Sequence, residues 1–435
     1  MILTLLCSCK TKSKRLSVFS ADGMMVAKLA ADYDLKGKNN VYCDIAVNEA
    51  AEILAELLDC NTEKAKKLLW KKEYTIYTYF DMAMQSSLSA AFKDYSELFN
   101  CASSVTDLNG NLIAAYSNCN DKAEQNYALN SASPYSSIKP LSVYSQAIEK
   151  GTVNWSTVFE DSPYKQVTNS QGVERGWPTN SSGKYSNVDV TLYEALQKSL
   201  NTVSVKCLKT VGVNNSIGFL QNEFGIPLST EQYNATLYGE DEVLGNIALG
   251  YLTEGVTTVD MAGYYQIFAT GGRYETPKAV QKLCDKDGKA VYQREHSPKE
   301  VLSTQTADIM NYMLQGVTKS GGTASGAFSR EVQTAGKTGT GDNNTDCWFV
   351  GITPGYSCAV WHGYNYKNVA DEIFSEIFTA HYTDNPELEK EFNISTPLKS
   401  MVYCEESGML LSATCTSIQL GYYAYETKLD VCNKH

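Results

Sequence analysis

The sequence has few histidines, few basic residues and no long uninterrupted apolar stretch. Only four histidines occur in 435 residues, and neither an HxxxH nor a CxxC pair is present, so we do not expect a metal enzyme. No run approaches the roughly 18 apolar residues that a membrane-spanning helix needs. The 37 lysines and arginines are outnumbered by 49 acidic residues, which leaves a net charge of -12. This balance argues against a nucleic-acid-binding protein, whose phosphate contacts require clustered basic side chains.

What is present indicates a folded protein with a substantial core. The chain is 43% hydrophobic and 20% charged, which favours a globular chain over a disordered one. Its length is enough for one large domain or two modest ones. The 29 tyrosines are scattered along the chain. We therefore interpret them as packing and groove-lining residues and not as a platform for stacking bases.

The 13 cysteines are an odd number, so they cannot all pair with one another within the chain. Most lie far apart, and we expect them to be small buried hydrophobes; examples are Cys43, Cys207 and Cys284. Only Cys404, Cys415 and Cys432 cluster, close to His435. Spacings of ten and sixteen residues are loose for a zinc knuckle, although zinc remains an alternative. We favour one disulfide and a spare thiol for an extracytoplasmic protein, with no cofactor and no metal at the reactive site.

The first residues have the reverse of the usual secretory pattern. Residues 1–9 are mostly apolar, and the basic residues follow them at Lys10, Lys12, Lys14 and Arg15. A secretory signal places positive charge first and the apolar run second. We interpret the segment as a truncated or degenerate export signal. A lipoprotein cleavage site at Leu6–Cys9 and the end of a membrane anchor are the alternatives.

Local patterns predict alternating helical and strand regions. A helix should include residues 50–58, Asn61 should cap a second helix, and a strand should cover 74–80. A further helix is expected over 82–92, a hairpin around Asn109-Gly110 and an irregular surface stretch over 154–190. Helices should dominate 191–270, with stops at Gly212, Gly225 and Gly250. Strands should return over 332–364, with a tight turn at 353–356. Helices inserted between antiparallel strands indicate an α+β domain.

The first of three chemical motifs is Ser136-Ser137-Ile138-Lys139. Apolar residues after it have helical spacing, and Gly151 should end that helix. Ser136 and Lys139, three residues apart, would share one face. A neutral lysine there could take the serine proton, as in Ser–Lys nucleophile pairs. The motif alone is weak, because the same pattern recurs at Ser162–Lys165 and Ser181–Lys184.

The second motif, Ser199-Leu200-Asn201, should lie on a turn between two helices. Thr191 and Glu194 resemble a capping box that starts the first helix, which should end near Lys198. The Ser199 and Asn201 side chains would then be free to face a cleft. Taken alone, this triplet is more simply interpreted as an ordinary turn between two helices.

The third motif is Lys337-Thr338-Gly339, followed by Thr340. The period of a strand places Lys337 and Gly339 on one face and the two threonines on the other. Because Gly339 has no side chain, a peptide could approach the strand edge closely. Lys337 could supply positive charge for a substrate carboxylate, although a solvated lysine on an edge strand is the simpler interpretation of the motif alone.

The three motifs in this order resemble those of the serine penicillin-recognising enzymes. Other strings are similar to the transpeptidase module of class A, or bifunctional, penicillin-binding proteins. These strings are Tyr74–Thr78 with Asp81 and Gln85, Asp107–Ala114, Ala248–Tyr251, Gly255–Thr257 with Met261-Ala262, and Asp346–Gly351. The resemblance covers residues 74–365 well. It implies an antiparallel sheet flanked by helices with a helical subdomain, in a fold like that of β-lactamases and DD-peptidases.

The resemblance also implies a role for each motif residue. Ser136 would be the acylated nucleophile, Lys139 its base and Ser199 a proton relay to the leaving amine. Asn201 would hold the substrate amide. Lys337, Thr338 and Thr340 would bind the terminal carboxylate beside Gly339, and the N–H groups of Ser136 and Thr340 would form an oxyanion hole. The implied activity is a serine-type D,D-transpeptidase that cross-links peptidoglycan stem peptides and is acylated by β-lactams.

Three features depart from the family pattern. Tyr135 stands where glycine usually precedes the nucleophile, and Gly341 stands where a hydroxyl residue is common. About 75 residues precede the module, too few for a glycosyltransferase domain, so we do not predict glycan polymerisation. We expect residues 1–75 to be an export or anchor remnant with a helical linker, 76–398 the transpeptidase domain and 399–435 a cysteine-containing tail.

Other functions remain open on the sequence. A D,D-carboxypeptidase would use water in place of the acceptor amine, a β-lactamase would hydrolyse its acyl-enzyme quickly, and a non-catalytic penicillin-binding sensor would not be acylated. The expected partners are D-Ala-D-Ala stem peptides, an acceptor amine, β-lactams and a separate glycosyltransferase. We expect an extracytoplasmic protein near the cell membrane or wall, with its attachment unspecified, and no nucleic-acid partner.

Overall fold

The computed structural model of the chain describes residues 14–35, 37, 39–118, 125–168, 172–229, 233–327, 329, 331–363, 367–394 and 396–435. The apolar segment 1–9, interpreted above as an export remnant, lies outside these residues. Among the residues described, no helix has both the length and the apolar character required to cross a bilayer.

Helices and strands are interspersed along the described chain, and six helices follow one another from α5 to α10. The helices are α1 Asn40–Leu57, α2 Thr62–Lys71, α3 Met82–Ala91, α4 Ser145–Glu149, α5 Leu192–Gln197, α6 Asn201–Val211, α7 Val213–Phe224, α8 Ala235–Tyr238, α9 Glu240–Leu249, α10 Thr258–Tyr265, α11 Thr304–Thr318 and α12 Ala370–Asp384. The strands are β1 Leu16–Phe19, β2 Met25–Leu29, β3 Thr75–Thr78, β4 Cys101–Asp107, β5 Leu112–Ser117, β6 Val158–Glu160, β7 Lys165–Thr168, β8 Glu174–Trp177, β9 Asp189–Thr191, β10 Arg273–Tyr274, β11 Val280–Cys284, β12 Ala290–Gln293, β13 Lys299–Glu300, β14 Ala335–Thr340, β15 Asp346–Ile352, β16 Tyr356–Gly363, β17 Lys399–Cys404 and β18 Ile418–Tyr423.

The chain divides into two compact units, and the smaller unit is discontinuous in sequence. It takes the residues up to Asp81 together with Lys278–Glu295. Its five-stranded sheet has the order β12-β11-β3-β1-β2, in which β1 and β3 run parallel. The buried carboxylate of Glu49 on α1 accepts hydrogen bonds from the backbone N–H groups of Ala279 and Val280, at 2.7 and 3.3 Å. These bonds attach the inserted hairpin to α1.

The larger unit takes Met82–Pro277 and His296–His435. Its central sheet has the order β14-β15-β16-β4-β5, and every neighbouring pair in it is antiparallel. Helices α3, α10, α11 and α12 pack against strands of this sheet. The expected α+β architecture, an antiparallel sheet flanked by helices with a separate helical region, is therefore confirmed.

Most of the predicted local elements are present. Asn61 caps α2 by accepting a hydrogen bond from the N–H of Lys64. The β4–β5 hairpin turns at Asn109-Gly110, where an Asp107 oxygen accepts from the N–H groups of Asn109 and Asn111. The three predicted glycine stops, Gly212, Gly225 and Gly250, follow the ends of α6, α7 and α9. The isolated cysteines Cys43, Cys207 and Cys284 are buried, as expected.

Two regions differ from their predictions. The region before residue 75 was expected to be helical, but it also contains the β1–β2 hairpin. The stretch 154–190 was expected to be an irregular surface excursion, but it contains short paired strands. Its Trp155, Asp161 and Asn180 side chains are buried. This stretch therefore forms part of the packed unit.

Candidate active site

The first motif lies on a short turn of 3₁₀-helix, Tyr135–Ile138. A π-helical turn, Pro140–Tyr144, follows it before α4 begins. The continuous helix expected from Ser136 onward is therefore not regular. The reason is Pro140, which has no N–H to donate to the carbonyl of Ser136 four residues earlier. The N–H of Lys139 donates to that carbonyl instead, which gives the tighter 3₁₀ geometry. Ser136 is partly exposed, whereas Lys139 is fully buried.

Lys139 joins the first motif to the second. Its Nζ donates to the backbone carbonyl of Ser199 at 3.1 Å and to Oδ1 of Asn201 at 2.7 Å. Burial lowers the pKa of Lys139 well below its ordinary value, and the charge of Lys337 lowers it further. A neutral lysine amine has two N–H groups and one lone pair. Because two hydrogen bonds use both N–H groups, the lone pair is left to accept a proton.

Among the hydrogen bonds between described residues, none joins the Ser136 hydroxyl to Lys139. Catalytic hydrogen bonds are often long until the reacting complex forms, so this does not exclude the pair. The two residues are separated by only three positions on one turn.

The second motif occupies the turn predicted for it, between α5 and α6. Thr191 caps α5 by accepting a hydrogen bond from the N–H of Glu194, and α6 begins at Asn201. Ser199 has a φ of 57°, in the left-handed region that residues with a side chain seldom adopt. This conformation places the Ser199 carbonyl on Lys139. Strained backbone of this kind concentrates at functional sites.

Residues that the sequence analysis did not single out support the second motif. Asn180 Oδ1 accepts from the N–H of Asn201 at 2.9 Å, and the Thr179 carbonyl accepts from Asn201 Nδ2 at 2.8 Å. Asp161 in turn accepts from Asn180 Nδ2 and from the Thr202 hydroxyl, both at 2.7 Å. No local pattern marks these residues, because they belong to the stretch 154–190 that lacks periodicity. They orient the amide of Asn201 so that its oxygen meets Lys139.

The third motif lies on β14, an edge strand of the central sheet. Lys337 and Gly339 are buried, whereas Thr338 and Thr340 face outward, as the period of a strand predicts. Burial lowers the pKa of Lys337 to about 7, and its Nζ donates to the carbonyl of Thr338 at 3.2 Å. The Thr338 hydroxyl lies 3.0 Å from that of Thr323. A carboxylate bound beside Lys337 would raise the pKa of this lysine again.

Gly339 brings β14 against the turn that carries Ser136. A Cβ atom at this position would lie 2.3 Å from the carbonyl oxygen of Pro134 and 3.1 Å from the backbone nitrogen of Ser137. The sequence predicts that the missing side chain allows a peptide to approach the strand edge. In the structure, the chain's own turn occupies that space. Asn368 Nδ2 donates to the Gly339 carbonyl and to the Thr340 hydroxyl, both at 3.1 Å, and supports the outer end of the motif.

The two local departures from the family pattern are in contact with each other. Tyr135 adopts a left-handed φ of 48°, and its N–H donates to the Gly250 carbonyl at 3.0 Å. Its ring packs edge-on against Tyr251, with centroids 5.3 Å apart. A Cβ atom at Gly341 would lie 2.8 Å from two carbons of the Tyr135 ring. The tyrosine ring therefore occupies space that a side chain at position 341 would need.

The structure brings together residues from all three motifs. Lys139 contacts Ser199 and Asn201 directly, and Lys337 is close enough to lower the pKa of Lys139. Gly339 contacts the turn of Ser136. Thr338 and Thr340 face the outer side of β14. The arrangement combines a partly exposed hydroxyl, a buried amine whose pKa is lowered and an edge strand of the central sheet.

A family model described as the penicillin binding protein transpeptidase domain matches residues 102–378. The chain is 34% identical over 272 residues to penicillin-binding protein 1A of Clostridium botulinum, with 61% of this chain and 31% of that relative covered. It is 31% identical over 340 residues to penicillin-binding protein 1A of Clostridium acetobutylicum, with 73% of this chain and 40% of the relative covered. The chain thus spans 31% and 40% of the length of these two curated relatives.

Solved structures agree on the fold. The chain resembles penicillin-binding protein 1A from Haemophilus influenzae with a TM-score of 0.70 and 14% identity, over 97% of this chain and 99% of the other. It resembles the D,D-transpeptidase domain of a peptidoglycan glycosyltransferase from Eggerthella lenta with a TM-score of 0.65 and 17% identity, over 86% of this chain and 100% of the other. At these identities the likeness shows the fold alone.

Proposed function

The chain belongs to the penicillin-binding protein transpeptidase family, and from this premise we propose that it is a serine-type D,D-transpeptidase that cross-links peptidoglycan stem peptides. The observation that carries the proposal is the contact of buried Lys139 with Ser199 and Asn201. An amine whose pKa burial lowers well below its ordinary value, three residues after a partly exposed serine, is suited to activate that serine.

In the proposed acylation step, Ser136 Oγ attacks the carbonyl carbon of the penultimate D-alanine. Its proton passes to the lone pair of Lys139, and an ester forms between serine and peptide. The bond to the terminal D-alanine breaks, and Ser199 relays the proton to the leaving amine. The N–H groups of Ser136 and Thr340 bind the oxygen that becomes negative in the transition state, which is where fixed donors stabilise most strongly.

The second half-reaction restores the serine. The amine of a second stem peptide attacks the ester carbonyl, a new amide bond forms, and the proton returns to Ser136. With a β-lactam, the broken amide bond belongs to a ring, so the amine cannot diffuse away and the acyl-enzyme persists. With water as the acceptor, the same machinery would act as a D,D-carboxypeptidase.

The remaining motif residues bind the substrate. Asn201 holds the peptide amide, and Lys337 with the Thr338 and Thr340 hydroxyls binds the terminal carboxylate. A peptide backbone can add to the edge of β14 beside Gly339, as extended peptides do on exposed sheet edges. Binding the carboxylate raises the pKa of Lys337 and keeps it charged, which in turn keeps the pKa of Lys139 low.

The proposed partners follow from this chemistry. They are D-Ala-D-Ala stem peptides, an acceptor amine, β-lactams and a glycosyltransferase that supplies the glycan strands. The proposed location is extracytoplasmic, near the cell membrane or wall, where these substrates occur. The relatives named penicillin-binding protein 1A support this assignment.

Intact mass after incubation with a penicillin tests the proposal. We expect the wild-type chain to gain the mass of one penicillin and Ser136→Ala to gain none, a loss of labelling of about 10³-fold or more. Ser181→Ala is the matched control, because Ser181 also stands three residues before a lysine but on the exposed stretch; it should label like wild type.

The lifetime of the adduct separates the alternatives. An adduct that persists for minutes to hours supports the transpeptidase, whereas rapid return to the starting mass indicates a β-lactamase. Labelling that survives Ser136→Ala would overturn the assignment of the nucleophile. Folded wild-type protein that never labels would indicate a non-catalytic module.

A further inference from the structure

The C-terminal segment brings together four side chains that the proposed reaction does not use. Cys404, Cys415, Cys432 and His435 each offer one ligand atom, and all four atoms lie within 4.8 Å of one another. The three cysteines are free thiols in the structure. We refer to these four residues as the C-terminal cluster.

We propose that the C-terminal cluster binds one zinc ion and that this ion holds the segment 399–435 in its fold. Three thiolates and an imidazole form one of the ordinary ligand sets of structural zinc. The sequence spacing favoured a disulfide with a spare thiol. A disulfide would use two of the three sulfur atoms and leave a thiol and an imidazole beside it, whereas zinc accounts for all four.

The distances in the cluster suit a tetrahedral ion. Zinc–sulfur bonds of about 2.3 Å and zinc–nitrogen bonds of about 2.0–2.1 Å place neighbouring ligand atoms about 3.5–3.8 Å apart. Cys404 Sγ lies 3.4 Å from His435 Nε2, and the outer limit for the set is 4.8 Å. Movements of about an ångström at the side chains would complete the coordination, without rearrangement of the backbone.

Hydrogen bonds around the sulfur atoms support metal-binding thiolates. The Ser407 hydroxyl donates to Cys432 Sγ at 3.2 Å, and the backbone N–H of Ser412 donates to Cys415 Sγ at 3.4 Å. Donors of this kind orient ligands and stabilise their negative charge in metal sites. A disulfide would not require these hydrogen-bond donors around its sulfur atoms.

The local backbone presents the ligands from turns. The N–H of Cys404 donates to the Met409 carbonyl, and the N–H of Gly408 donates to the Cys404 carbonyl, both at 2.8 Å. This tight turn follows β17, whose partner is β18. Cys432 is attached by a hydrogen bond from its N–H to the Leu410 carbonyl at 2.9 Å. A two-stranded sheet is marginally stable by itself, so a metal cross-link between its turns would contribute substantially.

The segment packs against the rest of the larger unit through aromatic rings. Tyr422 of β18 stacks on Tyr312 of α11 at 4.1 Å between centroids and packs edge-on against Trp155 at 5.5 Å. The Ser156 hydroxyl donates to the Gly408 carbonyl at 2.6 Å. A zinc ion that fixes the turns would keep Tyr422 and Gly408 in register with these partners.

Zinc content of the full chain tests the proposal. Protein purified without chelator and dialysed against metal-free buffer should retain one zinc ion per chain by elemental analysis. Cys415→Ser and His435→Ala should each lower the retained zinc by about tenfold or more. Cys60→Ser is the matched control, because Cys60 is also a half-exposed free thiol but lies outside the cluster; it should retain the wild-type amount.

A second measurement does not depend on the folding of variants. Cobalt(II) exchanged into the wild-type chain should give the intense visible bands of a tetrahedral ion and a sulfur-to-cobalt charge-transfer band. Zinc-free wild-type protein with these cysteines reduced, which neither takes up zinc nor shows the cobalt bands, would overturn the proposal. So would a non-reducing intact mass two hydrogens below the reduced mass, if peptide mapping placed that disulfide within the cluster in freshly purified protein.

Discussion

The active-site residues and the C-terminal cluster both gather side chains that are far apart in the sequence, but the surrounding structure holds them differently. Lys139 and Lys337 are fully buried between the central sheet and helices with extensive apolar cores. The cluster stands on turns beside one two-stranded sheet. In the first region the core positions the reactive groups. In the second region the candidate ligands themselves would hold the local fold together.

This difference predicts opposite costs for substitution. Removing a reactive group that the core positions should impair chemistry and leave the fold intact. Removing a ligand from the cluster should loosen the fold around it.

Lys139→Met should lower the rate of acylation by penicillin by about 10²–10⁴-fold, the usual contribution of a positioned base. Thermal stability should be equal or higher. Because the pKa of Lys139 is lower in the folded chain than in the unfolded chain, protonation below the unfolded-state pKa favours the unfolded chain, and removing the amine removes this penalty. Acylation rates and thermal unfolding measure both effects. Lys184→Met, on the exposed stretch, is the control and should change neither. Normal acylation of the Lys139→Met variant would show that Lys139 is not the base.

Cys432→Ser should raise hydrogen exchange at the amides of 418–423 by an amount equivalent to about 2–4 kcal/mol of lost local stability. Exchange at the amides of β15 and β16 should stay at its wild-type level. Exchange followed by mass spectrometry resolves the two regions, and Cys60→Ser serves as the control. Equal loosening of both regions would show that the cluster and the central sheet unfold together, which would end the contrast between them.

The acylation rate should have a bell-shaped dependence on pH. It should rise with pH as Lys139 loses its proton, by about tenfold per unit on the acid side. It should fall again as Lys337, whose pKa burial lowers to about 7, loses its charge. Because a bound carboxylate raises that pKa, the alkaline limb should lie at higher pH at saturating ligand than at low ligand concentration. Rates measured at both concentrations check this shift. Alkaline limbs that coincide at the two concentrations would show that Lys337 does not bind the carboxylate.

Substitutions of Tyr135 and Gly341 should have the smallest effect. Their effects on the free energy of unfolding should be coupled by at least about 0.5 kcal/mol. Gly341→Ser alone should destabilise the chain, because its Cβ would lie 2.8 Å from the Tyr135 ring. Tyr135→Gly removes the ring and relieves a left-handed tyrosine, so the double variant should recover most of the loss. Chemical denaturation of the four proteins measures the cycle. Additive effects would show that the two departures are unrelated.

Several local elements follow from the sequence because short-range chemistry decides them. Asn61 and Thr191 cap helices through their own side chains, and Gly225 ends α7 with a left-handed φ of 68°. The β1–β2 hairpin carried the same kind of signal in Asp22-Gly23, which the sequence analysis did not use. Its strands are short, and their pairing depends on β3, which lies far along the chain.

The candidate site was only partly predictable. The three motifs and their order were visible, because each is a short string with recognisable chemistry. The roles of Asn180, Asp161 and Asn368 were not, since each acts through a hydrogen bond to a residue that is distant in sequence. The contact of Gly339 with the turn that carries Ser136 could not be predicted for the same reason. A strand pattern records which side is buried, but not which neighbour fills the space.

Neighbouring residues alone are enough to predict the caps of α2 and α5, the β4–β5 turn, the alternation along β14 and the three motifs that carry the proposed chemistry. The lowered pKa of Lys139 depends on the complete fold, because burial and the charge of Lys337 cause it. The complete fold likewise decides that Tyr135 fills the space beside Gly341 and that Cys404, Cys415, Cys432 and His435 meet. Local properties depend on neighbours within a few residues. Electrostatic shifts, packing and ligand geometry depend on groups that only the completed fold brings together.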